Sequence, residues 1–371
     1  MMAPRLHPVA LAFAGLSLCP AVADTINVPA DHPTIEAAIT ASASGDVILI
    51  AAGTYYEANL TTRGRAITVQ GTLNEDGSLA TTIDAQQVGR VFRIGTNEGS
   101  GTVIRDLIIT GGLDYQGGGI YCFLTNPTIR NCRITDNSAQ FGGGIYCRGA
   151  SPTIIDCRIT NNSSNVELGN TAGIHLWGSF ATFSGCTISD NPDGGIFCTD
   201  YGSGPYPTIS DCSITGNAFG ISCDSNGSPA IDDCTISDND GNGIYSQLSS
   251  NPSISGCTIT NNGGSGVYGF IWGSSFFDST PIISGSIICG NQSGQLNGAY
   301  DDAGGNTVEE VCPIACIGDT NGDAVVDGAD LAAMLAAWGQ DVPSVDQNDD
   351  GQIDGQDLAV VLGAWGLPCG G

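Results

Sequence analysis

From about residue 99 to 295 the chain repeats itself every 22–29 residues, and no other feature limits its fold so severely. One unit reads P-T-I-R-N-C-R-I-T-D-N over residues 127–137, and the next reads P-T-I-I-D-C-R-I-T-N-N over 152–162. Later copies are T-I-S-D-C-S-I-T-G-N, A-I-D-D-C-T-I-S-D-N and S-I-S-G-C-T-I-T-N-N; an earlier one puts Leu107 in the cysteine place. Between them runs a second series: G-G-G-I-Y-C at 117–122 and again at 142–147, then A-G-I-H-L, G-G-I-F-C, G-I-S-C, G-N-G-I-Y-S and S-G-V-Y-G. Strands this short cannot keep an apolar face dry alone. Stacked on the rungs above and below, they pair their backbones and bury their Ile and Cys side chains.

The turn that closes each unit carries an asparagine, at Asn137, Asn162, Asn191, Asn217, Asn239, Asn262 and Asn291. Amides stacked at one turn can hydrogen-bond along the axis, each donor meeting the next acceptor. That ladder predicts an all-β, right-handed parallel β-helix over residues 99–312. Propeller blades would need longer strands, and a leucine-rich array more leucine. At about 4.8 Å per rung, eight clear rungs span roughly 40 Å.

Cysteine follows the same periodicity. Cys132, Cys157, Cys186, Cys212, Cys234 and Cys257 take one inward place, and Cys122, Cys147, Cys198 and Cys223 another. Leu176, Ser246 and Gly269 substitute in the second series, so the place asks for a small side chain that packs. Neighbouring rungs are also within disulfide reach. Cys316 and Cys369 stand apart, at the two ends of the last segment, where a bridge would clasp it.

Residues 24–98 read as the entry to this coil. Pro33 opens a short helix with Ile35 and Ile39 on one face and Gly45 beyond its end, a suitable cap for the first rung. This stretch and the rungs after it resemble the pectin-lyase-like superfamily of right-handed β-helices, over about residues 24–312. The resemblance implies the fold. Its members include lyases, hydrolases, esterases and epimerases of polysaccharides, and surface proteins with no reaction. The chain has no lysine, which excludes the lyases that use a lysine base. No cluster of Asp matches the polygalacturonase pattern, and likeness to pectin esterases stops at G-T-Y-Y-E, residues 53–57.

Charge is distributed unevenly. All ten cationic side chains are arginines at or before Arg158, 25 of the 38 acids follow it, and the formal net charge is −28. Binding to a nucleic-acid backbone or an anionic membrane is therefore not expected. Residues 1–23 read as a signal peptide: Arg5 and His7, an apolar stretch from Val9 to Cys19, then Ala21-Val22-Ala23 as a cleavage site. The stretch is too short to span a bilayer, and no second long apolar run follows. A secreted, extracellular or cell-surface protein is the expectation.

Residues 316–369 hold one twelve-residue pattern twice. Asp319, Asn321, Asp323, Asp327 and Asp330 fall at loop positions 1, 3, 5, 9 and 12; Asp346, Asn348, Asp350, Asp354 and Asp357 repeat every one of them. Val325 and Gln352 add a backbone carbonyl at position 7. A hard cation takes six to eight oxygens, and alternate residues of a tight loop aim theirs at one centre, so two calcium ions are expected. A short apolar helix follows each loop, with Leu331 matching Leu358 and Trp338 matching Trp365. The arrangement resembles a type I dockerin, which implies a small α-helical calcium-folded module that attaches its carrier to a cohesin-like or other surface protein. Gly328-Ala329 and Gly355-Gln356 stand where that family usually carries Ser or Thr. A calcium-stabilised cap with no partner is the other reading.

One outward feature points to chemistry. In G-I-Y-C the Ile and Cys face inward, so the residue between faces out. Down the rungs that gives Tyr121, Tyr146, His175, Phe197, Ser222, Tyr245 and Tyr268, a stripe of rings suited to sugar faces. Aromatic loops at Phe123, Trp177, Tyr201, Tyr206 and Trp272 leave the same side and either extend the stripe or cover it. Uronate elimination needs a cation for the carboxylate and a Tyr or His to move the proton, and Tyr146, Arg148 and His175 have those types. Arg133 and Arg158 occupy equivalent outward places, to bind an acidic glycan or to pair with Asp136 and Asp156. Two readings stand: a carbohydrate-binding or structural rod, or a polysaccharide-processing lyase, glycoside hydrolase or epimerase. The first is preferred, because no complete catalytic constellation is legible.

Calcium chelation is expected to unfold residues 316–369 and leave the β-helix intact. Limited proteolysis with and without chelator tests this, and equal protease resistance of the module in both would contradict it.

Overall fold

The computed structural model describes residues 23–95, 98–164, 172–200, 206–271, 278–312, 320, 326–339, 345, 352–363 and 365. The described residues between 23 and 312 form a coil of short strands arranged in three long parallel sheets of twelve, eleven and nine strands. One rung shows the plan: Thr128–Arg130 lies in the first sheet, Arg133–Thr135 in the second and Ile145–Arg148 in the third. Each strand pairs in parallel with its equivalents one rung away. Ile129 sits in register with Ile104 and Ile154, Ile134 with Ile109 and Ile159, and Ile145 with Ile120 and Ile174. These isoleucine columns are buried and fill one continuous core. The periodicity of the sequence thus becomes the axis of the coil.

The corner between the first and second sheets turns on one left-handed residue: Asp106, Asn131, Asp156, Gly185, Asp211, Asp233, Gly256 or Gly285, depending on the rung. Asp, Asn and Gly are the residues that tolerate this conformation, which explains why the repeat varies among them and no others.

The next corner holds the asparagine ladder. Asn137, Asn162, Asn191, Asn217, Asn239, Asn262 and Asn291 are all buried. The Asn191 Nδ2 donates to Asn217 Oδ1 at 2.9 Å, and Asn217 Nδ2 to Asn239 Oδ1 at 3.0 Å; the same link runs from Asn137 to Asn291. Each amide also donates to an isoleucine carbonyl of the preceding rung, as Asn217 does to Ile188. Gln295 ends the series by accepting from Asn291 at 2.7 Å. The axial amide ladder expected from the sequence is therefore present.

Cys132, Cys157, Cys186, Cys212, Cys234 and Cys257 form a buried column of free thiols, and Cys122, Cys147, Cys198 and Cys223 are likewise buried and free. They pack as small apolar groups. A disulfide joins Cys289 to Cys312 across the last rungs, which sequence reasoning did not single out. Cys316 and Cys369 lie outside the described residues.

At the other end, helix α1, Ile35–Ala41, presses Ile35, Ala38 and Ile39 onto the first rungs. Thr34 caps it, and the Glu57 carboxylate accepts from the free N–H groups of Ile35 and Glu36 at 2.7 and 2.9 Å. This is the expected cap. In the last segment, helices α2, Gly328–Ala336, and α3, Gly355–Gly363, share a small core of Val326, Met334, Ala337, Val345, Ile353 and Val361. No helix among the described residues is long and apolar enough to cross a membrane. The expected signal peptide falls in residues 1–22 and Ala23, of which only Ala23 is described.

Replacing Asn217 with Leu keeps the volume but strands the buried Asn191 N–H and removes the side-chain donor to the Ile188 carbonyl and to the Asn239 amide oxygen, which keeps only the backbone N–H of residue 217. At about 1–3 kcal/mol for the stranded N–H and about 1 kcal/mol for each other bond lost, Asn217→Leu is expected to destabilise the coil by about 2–5 kcal/mol. Denaturant midpoints measure this against exposed Gln292→Ala, and equal midpoints for the two variants would contradict the ladder's role.

Candidate functional site

The outward face of the nine-stranded sheet carries two parallel rows of side chains. The first runs Arg93, Tyr121, Tyr146, His175, Phe197, Ser222, Tyr245, Tyr268, Asn297, each in register with the next. The second, two residues further along each strand, runs Phe123, Arg148, Trp177, Thr199, Asp224. Strand alternation places both rows outside the core.

The first row is not the continuous exposed stripe that the sequence suggested. Tyr146, His175 and Phe197 are 0, 2 and 4 % exposed, while Tyr121, Tyr245 and Tyr268 are half-buried. Part of the cover is Phe141, which ends the strand Ser138–Phe141 of a small extra sheet on these rungs. Its ring meets His175 edge-on, with centroids 5.4 Å apart, and lies 6.5 Å from Tyr146. Alternation fixes which way a side chain points, but not what the neighbouring turn lays over it. Of the aromatic loop residues, Tyr206 is exposed, whereas Tyr201 and Trp272 lie outside the described residues.

The structure does bring Tyr146 and His175 together, at 5.2 Å between ring centroids. The Tyr146 hydroxyl and both His175 nitrogens are buried with no hydrogen-bond partner among the described residues. Burial pushes the Tyr146 phenol up to about 12 and holds the His175 imidazole down to about 3, so both are neutral at pH 7. Neither reaches solvent, as a group that exchanges a proton with a polymer on this face must.

Arg148 is different. It is exposed in the second row, with its guanidinium 5.9 Å from the Phe123 ring centroid and 5.7 Å from that of Trp177. The register puts Phe123 one rung before it and Trp177 one rung after. It makes no ion pair among the described residues. Two rungs back, exposed Arg93 borders an open cavity of about 570 Å³ together with Asn59, Thr61, Arg63 and Gly95. Arg90, by contrast, lies over the Tyr121 ring at 4.5 Å and is held by Asp114 at 2.7 Å. On the second sheet Arg133 and Arg158 are register partners and both exposed, and neither pairs with Asp136 or Asp156.

For the calcium pattern, Asp319, Asn321, Asp323, Val325, Asp346, Asn348 and Asp350 lie outside the described residues. Asp330 and Asp357, at position 12 of each loop, are fully buried, and each accepts from the backbone N–H of position 9, Asp327 or Asp354, at 2.8 Å. Asp327 and Asp354 in turn accept from Ala329 and Gln356 at 2.7 Å. The two halves thus repeat each other in geometry as in sequence. Gln352 is exposed. Among the described residues no group of three or more metal-ligating side chains converges.

Folded His175 takes up a proton only near pH 3, whereas the unfolded chain does so near 6.5. Between those values the unfolded state binds more protons. The stability that neutral His175 confers is therefore complete above pH 6.5 and lost progressively toward pH 3. The unfolding free energy of wild type relative to His175→Leu should fall by about 1 kcal/mol per pH unit across that window. Denaturant titrations at several pH values test it, and parallel profiles for the two proteins would contradict it.

The model of a family described as the right handed beta helix region matches residues 31–181 and 143–311. Among solved structures, the chain is similar to the pectate lyase Pel9A, with a TM-score of 0.56 and 15 % identity over 82 % of this chain and 85 % of that one. It is also similar to the A-module of the mannuronan C-5 epimerase AlgE4 of Azotobacter vinelandii, with a TM-score of 0.50 and 16 % identity over 74 % of this chain and 76 % of that one. No curated protein matches. Likeness at such low identity speaks to the fold. With the family match running through most of the coil, the chain belongs to the right-handed β-helix family.

Proposed function

We propose that this protein is an exported β-helix that binds an acidic polysaccharide along the outer face of its nine-stranded sheet, with Arg148 as the carboxylate anchor. The observation that carries this reading is the exposed Arg148 guanidinium held between Phe123 and Trp177. In a chain of net charge −28, a cation on an open surface with no acidic partner among the described residues is available to an anionic ligand. Flanking rings hold the guanidinium in place and offer apolar surface to the sugar beside it. Arg93 supplies a second positive charge toward the same end of the face. The names of the similar solved structures, a pectate lyase and a mannuronan epimerase, both refer to polymers of uronic acid.

The C-terminal segment fits a calcium-dependent attachment module. Two buried position-12 carboxylates, each ordered by its own loop, are what a paired loop–helix unit needs on either side of its core. Asp327, Asp330, Asp354 and Asp357 would hold the two ions together with the loop residues before them, and each ion would neutralise a cluster of carboxylates that otherwise repel. In this reading the module, of dockerin-like type, fixes the rod to a cohesin-like or other surface protein.

Processing of the same polymer is the second reading. One observation favours it: Tyr146, on the anchor's own strand, and His175, one rung on, have polar atoms with no partner among the described residues, at a cost of about 1–3 kcal/mol apiece. In that reading the cover over them opens, Arg148 neutralises the uronate carboxylate, His175 takes the proton from the adjacent carbon, and the Tyr146 hydroxyl gives its proton to the departing glycosidic oxygen as that C–O bond breaks.

Calorimetric titration with polygalacturonate and polymannuronate tests the anchor. Arg148→Ala is expected to weaken binding about tenfold, or about 1.4 kcal/mol, without changing the melting temperature. Unchanged affinity in Arg148→Ala would exclude the anchor. Unsaturated-uronate absorbance and new reducing ends, followed in the same samples, separate binding from cleavage; cleavage that disappears in Arg148→Ala and His175→Ala would establish the second reading.

A further inference from the structure

Beyond its buried middle, the outer face of the nine-stranded sheet opens again, and what it presents there differs in kind from the Arg148 end. Tyr245 and Tyr268 are register partners with ring centroids 5.5 Å apart and planes inclined at 48°. An open cavity of about 300 Å³ lies on one side, lined by Phe219, Ser222, Asn242, Tyr245 and Gln247 among others. Another of about 350 Å³ lies on the other side, lined by Ser265, Tyr268 and Asn297 with their neighbours. Among the described residues, neither cavity has a charged side chain in its lining. Four rungs, about 19 Å, separate this place from Arg148.

Hydrogen bonding within the cavities leaves a definite set of groups open. Asn242 Oδ1 accepts from the Ser265 N–H at 2.7 Å, which orients the amide and leaves its Nδ2 as a donor. Asn297 Nδ2 donates to Ser265 Oγ at 2.7 Å and to the Ser293 carbonyl at 2.6 Å, leaving its Oδ1 as an acceptor. The Tyr245 hydroxyl donates to Gln247 Oε1 at 3.0 Å, and Gln247 Nε2 to Asp224 at 3.3 Å, so that trio satisfies itself. The Tyr268 and Ser222 hydroxyls have no partner among the described residues. One oriented amide donor, one oriented acceptor and two hydroxyls thus surround a pair of half-exposed rings. A pair of rings flanked by a few oriented polar groups matches the ring face and hydroxyls of a sugar.

Charge decides which sugar. No cationic side chain follows Arg158, and 25 acids do, including Asp224 and Asp240 next to the first cavity. A carboxylate placed here would meet no counter-charge and two nearby anions, which disfavours a uronate. We propose that Tyr245, Tyr268, Asn242 and Asn297 form a second saccharide site that takes uncharged sugar units. The proposal rests on the reading of this face as saccharide-binding. It makes the natural ligand a polysaccharide with both uronic and neutral residues.

Titration calorimetry of the full-length protein with cellohexaose, xylohexaose and mannohexaose, beside hexagalacturonate, tests it. At least one neutral hexamer is expected to bind, with affinity indifferent to about half-molar salt and to Arg148→Ala. That affinity should drop about tenfold or more in Tyr268→Ala and in Asn242→Ala, while Tyr268→Phe, which keeps the ring, retains the larger part. Should Tyr268→Ala fail to fold, Asn242→Ala and Tyr268→Phe carry the test. The proposal is overturned if none of the three neutral hexamers binds, if affinity is unchanged in both Tyr268→Ala and Asn242→Ala, or if Arg148→Ala removes it. Loss of hexagalacturonate binding alone would strike the Arg148 anchor and leave this site standing.

Discussion

Parallel pairing in unbroken register between one rung and the next is the constraint on which everything else in this molecule depends. A strand of three or four residues has too little apolar surface to stay folded alone. Here the inward isoleucines lie on isoleucines of the next rung, or on near equivalents, from Ile48 and Val69 down to Ile259 and Ile288, until Asp302 stands opposite Ile283 at the last rung. The polar counterpart is the asparagine column, in which each buried amide is satisfied only because its neighbours one rung away hold the same residue. A buried amide without that neighbour would cost more than it contributes. Identity of sequence between rungs is thus a physical requirement of the corner, and it fixes register for the sheets on either side. The outer rows inherit that register, and so their side chains stand in columns at the spacing of the strands.

Those outer columns differ along the axis because the interior does not constrain them. Toward the N-terminal end the face is cationic and aromatic, with Arg93, Phe123, Arg148 and Trp177. In the middle, Tyr146, His175 and Phe197 are sealed under Phe141 and their neighbours. Toward the C-terminal end the face is neutral, with tyrosines, amides and hydroxyls. A long polymer laid along the coil would therefore meet first the cationic face, where Arg148 and Trp177 share strands with the sealed Tyr146 and His175, and then the neutral one. The same scaffold supports binding without catalysis or catalysis under a movable cover. Which of these operates is decided by whether Tyr146 and His175 ever meet the ligand.

Much of this was legible in the sequence because the coil repeats. The asparagine and cysteine columns, the isoleucine core and the helix that caps the first rung all follow from spacing and residue type. The burial of Tyr146 and His175 did not follow, because alternation gives direction and the cover comes from Phe141, which has no counterpart in most rungs. The Cys289–Cys312 bridge was also missed, although its 23-residue separation is one turn of the coil. Cys289 stands two residues before Asn291, where earlier rungs carry Thr135, Thr160 and Thr260, and that departure from the column was the available signal. Charge alone marks Arg148 in the sequence, whereas its place between Phe123 and Trp177 emerges only once the rungs are stacked.

The most direct test of the acidic-polysaccharide reading is a crystal structure of the protein with a bound hexauronate. The expected result is a uronate carboxylate in hydrogen-bonding contact with the Arg148 guanidinium, and a sugar ring against Phe123 or Trp177. An oligosaccharide seated on another sheet, or on this face without contact to Arg148, would contradict it.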